Sequence, residues 1–206
     1  VIDGNHEVFS TNLDSKLLKL SFRSKSNEVI NGTQGDDILN GGAGNDIING
    51  YAGNDTIDSG KGNDIIDGGE GNDTIKNGSG DDFIYGKEGD DVFYNWSGTD
   101  YYDGGEGNDT IISDFSANKI QGIVSPQSFK FYLNLNDKIH GLPEWTTKPD
   151  TVINVENYTL IGDFDAELIG DNKNNIFITD LGTDIISGGG GNDKLYGGAG
   201  NDKLYG

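Results

Sequence analysis

The sequence predicts an all-β fold, a parallel β-roll wound as a solenoid in two arrays with an intervening β-rich segment. Three observations predict it. Between Gly32 and Ile112 the chain divides without a gap into nine nine-residue units, the signature of a repeat architecture. Glycine fills 34 of 206 positions and hydrophobic residues only 33%, too few for an ordinary large core. One large apolar side chain recurs in every unit, enough for a narrow core one residue wide.

Four successive units read GGAGNDIIN, GYAGNDTID, SGKGNDIID and GGEGNDTIK. Their fourth position is always glycine: Gly35, Gly44, Gly53, Gly62, Gly71, Gly80, Gly89, Gly98 and Gly107. A glycine there permits the positive φ of a tight turn and lets carbonyls turn inward. The eighth position is always large: Leu39, Ile48, Ile57, Ile66, Ile75, Ile84, Phe93, Tyr102 and Ile111. The segment around it suits a three-residue strand with one inward side chain. Two units then close one coil, and coils stacked at about 4.8 Å make a roll of roughly 22 Å from nine units.

The sixth position is always aspartate: Asp37, Asp46, Asp55, Asp64, Asp73, Asp82, Asp91, Asp100 and Asp109. Aspartates two units apart fall on the same side of successive coils, so their carboxylates form a row that repels itself when bare. Turn-forming alone does not explain an invariant sixth position beside a fifth that varies among Asn, Asp and Thr. A hard cation held by carboxylates and turn carbonyls removes the conflict, and an all-oxygen donor set favours Ca²⁺ over transition metals and over Mg²⁺.

The formal charge of −21 points the same way and opposes compaction unless it is neutralised. It argues against nucleic acid, which needs clustered Lys and Arg. The chain has no cysteine, which removes disulfides and thiolate metal sites. His6 and His140 are too few to suggest zinc or a Ser/His/Asp centre. Periodic metal-facing carboxylates are the wrong geometry for a two-carboxylate cleft, so no enzyme activity is expected. No apolar run approaches a membrane span. Val1 opens the chain without a methionine and Gly206 falls just inside another repeat, so the sequence reads as a piece of something longer, monomeric as such.

These units resemble the RTX (repeats-in-toxin, haemolysin-type calcium-binding) family, with its G-G-x-G-x-D-x-U-x pattern, closely over 32–112 and in part over 161–206. The resemblance implies that sixth-position aspartates of units n and n+2 sandwich one Ca²⁺, with main-chain carbonyls at the glycine turns completing the shell. It pairs Asp37 with Asp55, Asp46 with Asp64, Asp55 with Asp73, Asp64 with Asp82, Asp73 with Asp91, Asp82 with Asp100 and Asp91 with Asp109, for roughly seven to nine ions in all.

The second array ends in GGGGNDKLY and GGAGNDKLY, which supply Asp193 and Asp202 with turn glycines Gly191 and Gly200. Upstream, Asp184 keeps the pattern, while Asn175 and Ala166 occupy the metal position. Asp184 with Asp202 is the best pair there, and Asn175 with Asp193 a weaker one. The organisation expected is a β-rich N-terminal cap at 1–31, the first array at 32–112, a non-repeat insertion at 113–160 and the second array at 161–206. Pro126, Pro143 and Pro149 punctuate the insertion, and alternation around Lys16–Phe22 suggests a strand covering the open end of the roll.

The function implied is a calcium-binding module that folds on extracellular Ca²⁺ and so supports the secretion and stability of a larger exported bacterial protein. It would be secreted or sit at the bacterial surface. The alternative is a module recognising polysaccharide or a host cell surface, for which Trp96 and Trp145 are the candidate contacts.

Overall fold

The computed structural model describes residues 25–95, 97–115, 130–137, 139–141 and 150–206, with the short strands Glu7–Val8 and Lys19–Ser21. Trp96, Trp145, His6 and the three prolines lie outside the described residues, as does the side chain of His140. Among the described residues there is no helix. Strands form one sheet of twelve and one of nine, with a two-stranded pair beside them. The fold is a parallel β-solenoid.

Successive units alternate between the two large sheets. Val29–Asn31, Ile47–Ala52, Ile65–Glu70, Phe83–Glu88 and Tyr101–Glu106 lie side by side in one; Ile38–Ala43, Thr56–Lys61, Thr74–Lys76, Val92–Asn95 and Thr110–Asp114 do so in the other. The register is eighteen residues, Ile48 against Ile66 and Leu39 against Ile57, so each coil is two units. Every eighth-position side chain from Leu39 to Ile111 is at most 1% exposed. Burying each is worth about 1.5–3 kcal/mol, and together they are the core.

Most strands are longer than the three residues expected. Six of the nine between Ile38 and Asp114 run six, as in Thr56–Lys61 and Ile65–Glu70, because pairing continues past the apolar residue into the next unit, Gly42 against Gly60. With period-two alternation this turns position one inward as well as position eight, and Gly41, Gly50 and Gly68 are buried there. Position seven faces out.

The nine-residue period stops at Ile112, but stacking does not. Asp150–Ile153 pairs in parallel with Tyr101–Asp103, and Asn157–Ile161 with Thr110–Asp114, which puts Val152 and Tyr158 into the core. The turn between them is three residues shorter than in a regular unit and is made with Asn154 at φ 51°, a left-handed conformation that asparagine tolerates. Lys130–Asn134 and Ile139–Gly141 form an antiparallel pair inserted into the twelve-stranded sheet, where Leu133 is buried. The other sheet passes directly from Asn157–Ile161 to Ile176–Ile178. Beyond it Leu168, Phe177 and Ile186 continue the core, and exposure rises at Leu204.

Candidate metal rows

Fifth and sixth positions tie neighbouring coils with opposite polarity. At position six the backbone N–H of one unit donates to Oδ1 of the aspartate two units on: Asp37 to Asp55, Asp55 to Asp73, Asp73 to Asp91 and Asp91 to Asp109, all at 2.7–2.8 Å. A second row runs from Glu28 to Asp46, Asp64, Asp82, Asp100 and Asp150 at 2.8–2.9 Å. At position five the bond is reversed, the N–H of Asn54 donating to Asp36 Oδ1 and that of Asn72 to Asn54 Oδ1, each at 2.8 Å. Any residue with a side-chain oxygen acceptor serves at position five. That is why it varies.

Every aspartate pair predicted from the sequence is thus brought into contact, including Asp184 with Asp202 and Asn175 with Asp193. Ala166, which offers no carboxylate, still gives its N–H to Asp184 Oδ1. The turn glycines from Gly44 onward hold positive φ, 112° at Gly53 and 132° at Gly62; Gly35 is not among them. At Gly62 a Cβ would lie 1.7 Å from the Gly44 carbonyl oxygen, so close stacking as well as φ demands glycine.

The second carboxylate oxygen is what these bonds leave over. Oδ2 of Asp46, Asp55, Asp64, Asp73, Asp91, Asp109, Asp184 and Asp193 is buried without a hydrogen-bond partner. Such atoms are costly unless something charged meets them. Across from Asp46, Asp55, Asp73, Asp91, Asp109 and Asp193 lies the empty side of a position-one glycine, whereas Ser59 and Thr179 stand there beside Asp64 and Asp184. A Cβ built on Gly50 would stand 2.3 Å from Asp55 Oδ2 and 2.2 Å from the Gly68 carbonyl oxygen. Carboxylate and carbonyl oxygens therefore face one small space, the donor set a hard cation takes. Among the described residues no three acidic or imidazole side chains meet at one point, so a cation here would draw on carboxylate pairs plus main-chain oxygens.

Electrostatics agree. Burial, ahead of the neighbouring carboxylates, pushes Asp55 up to about 6, Asp73, Asp82, Asp91 and Asp109 up to about 7, and Asp100 up to about 8. Asp46, Asp64 and Asp184 are also raised by burial. Carboxylates in this state resist ionising without a compensating positive charge.

One level carries that charge on a side chain. Glu156 ends the Asp37 row, Oε2 accepting the Asp109 N–H at 3.0 Å, and its longer side chain compensates for the short turn at Asn154. Its other oxygen accepts a hydrogen bond from Lys173 Nζ. That bond raises the Lys173 pKa, and the ammonium offsets a small part of the rise that burial gives Asp109. Neither Asp150 nor Glu156 stands in a nine-residue unit, so the period alone does not reveal their place in the rows.

A parallel β-solenoid carrying stacked rows of half-satisfied carboxylates is a calcium-binding repeat protein by class. The family model described as RTX calcium-binding nonapeptide repeat matches the chain in four copies, at residues 24–57, 44–75, 76–111 and 169–204. These cover more than half of the chain, which belongs to that family. No curated protein matches it.

Proposed function

We propose that the sixth-position aspartates hold Ca²⁺ between successive coils, through the carboxylate oxygen left free by the backbone and through carbonyls beside the glycine turns, and that this binding drives folding after export. The row of buried Oδ2 atoms without partners carries the reading. Without calcium the roll sets a core one side chain wide against the charge of −21 and the conformational entropy of 34 glycines. Such a chain stays disordered, and so threadable, in a low-calcium cytosol. Outside, each ion bound only by the native turns adds RT ln(1 + [L]/Kd), and extracellular modules bind at about 10⁻⁴ to 10⁻³ M. The module then serves the secretion and stability of a larger bacterial protein passed out through a one-step (type I) system.

The test is titration with Ca²⁺ and with Mg²⁺, followed by circular dichroism and hydrodynamic radius. Compaction by calcium in the millimolar range, with magnesium much weaker, is the expected result. A compact β spectrum in chelator, unchanged by calcium, overturns the reading.

A second reading has one observation behind it. On the outer face of the twelve-stranded sheet Phe83 and Tyr101 have ring centroids 5.9 Å apart, and Tyr85 and Tyr101 5.8 Å; Phe83 is half exposed. Aromatic faces of this kind stack on sugar rings. A glycan array probed with the chain and with Phe83→Ser tests recognition of polysaccharide or a cell surface, and binding that the substitution leaves intact removes the support.

A further inference from the structure

Position one separates the two rows. Along the Asp37 row it is glycine in every unit: Gly32, Gly50, Gly68, Gly86 and Gly104. Along the Asp46 row Gly41 is followed by Ser59, Asn77 and Asn95. All three side chains are buried, and they enter the space that glycine leaves beside the carboxylate.

What they do there is specific. Asn77 Nδ2 donates to Asp82 Oδ2 at 3.1 Å and to Asp100 Oδ2 at 2.9 Å, so one amide bridges two successive carboxylates. Asn95 Nδ2 donates to Asp150 Oδ2 at 2.9 Å. Ser59 Oγ donates to the Asn77 carbonyl at 2.6 Å, the kind of oxygen that faces open space next to Gly50. Oδ2 of Asp55, Asp73, Asp91 and Asp109 meanwhile has no partner.

We propose that Asn77 takes the place of calcium, so that the level between Asp82 and Asp100 is joined by amide N–H groups and excludes the ion, and that Asn95, whose amide occupies Asp150 Oδ2, blocks the level between Asp100 and Asp150. An amide nitrogen carries two donors and no lone pair for a cation, and here both donors of Asn77 are aimed at the oxygens a cation would need. An ion at this level would have to break both bonds and turn the amide over, bringing Oδ1 in among the carboxylate oxygens. The roll is then asymmetric, with its calcium along the glycine-lined Asp37 row and a metal-independent spine across the middle of the other. The inference rests on the aspartates being calcium ligands, and it narrows the ligand set by removing Asp100 and the Asp150-facing side of the same row.

The experiment counts ions on the full chain at saturating calcium by native mass spectrometry, for the natural protein and for Asn77→Gly. Removing the amide opens the Asp82–Asp100 level, and the expected result is one more Ca²⁺ per chain; equal counts overturn the proposal. Crystals of the natural protein grown in calcium give a readout that does not depend on the variant folding. Ions between Asp55 and Asp73 with none between Asp82 and Asp100 support the proposal. An ion at both levels overturns it and leaves the calcium reading standing, whereas no ion in either row overturns both.

Discussion

The backbone N–H of Asp55 donates to Asp73 Oδ1 at 2.8 Å, and Oδ2 of the same Asp73 has no partner. One carboxylate thus does two jobs: it staples its coil to the one before, and it offers a buried oxygen to whatever lies between coils. Stacking and metal binding are therefore coupled at each aspartate, and the predictions turn on pulling them apart.

Asp73 faces the Asp55 level on one side and the Asp91 level on the other, so Asp73→Ala is expected to remove ligands from two calcium levels. Asp109→Ala touches only the level shared with Asp91, because its other neighbour, Glu156, is paired with Lys173. Calorimetric titration should show two ions lost in the first variant and one in the second, with lower cooperativity in the first, as expected of a nearest-neighbour stack. Equal losses would mean independent sites.

The pH dependence has opposite signs with and without calcium. Burial raises Asp73, Asp91 and Asp109 to about 7 from the ordinary 3.8. A carboxyl whose folded pKa is raised stabilises the metal-free roll fully below the unfolded pKa, and that contribution is lost as pH rises through the folded pKa. In chelator, stability should therefore fall between about pH 4 and 7. Calcium competes with those protons, so its stabilising effect should grow over the same interval. Circular dichroism at pH 4.5, 6 and 7.5 checks both signs: in chelator the β signal should be greatest at pH 4.5 and fall as pH rises, and the β signal gained on adding calcium should grow over the same steps.

Lys173→Met leaves Glu156, only 6% exposed at its side chain, without its cation. Because the Lys173 side chain is itself 53% exposed, the expected loss is about 1–2 kcal/mol, below that for a fully buried pair. Denaturation at saturating calcium measures it, and the ion count should not change.

Close stacking at the turns predicts a contrast between two glycines. Gly62→Ala forces a Cβ onto the Gly44 carbonyl at φ 132° and should cost about 3 kcal/mol or more. At Gly190 the nearest atom is the end of the Asn172 side chain, 3.0 Å away, and no left-handed φ is involved. Gly190→Ala should cost less than about 1 kcal/mol. Thermal melts in calcium compare the two.

Much of this was legible before any coordinates. Nine eighth-position residues mark the core because an inward side chain recurs once per unit, and the invariant sixth position marks the carboxylate rows because nothing local to a turn demands aspartate there. Position one was not legible as an inward site, because strands expected to end after three residues run on into the next unit. Ser59, Asn77 and Asn95 then look like ordinary exchanges for glycine, although their eighteen-residue spacing is the signal that places them on one row. Asp150 and Glu156 escape the pattern for other reasons: Asp150 follows Asp100 by fifty residues instead of eighteen because the non-repeat insertion lies between them, and at Glu156 the turn at Asn154 also drops three residues.

Residue-resolved amide hydrogen exchange at Asp37, Asp55, Asp73 and Asp91, in calcium and in chelator, tests the coupling of metal to fold most directly. Each of these N–H groups is held by the carboxylate of the coil that follows, so its protection reports whether the stack is closed. Strong protection in calcium that collapses together across the row in chelator is the predicted result. Protection at these four amides that is the same in both buffers would contradict it.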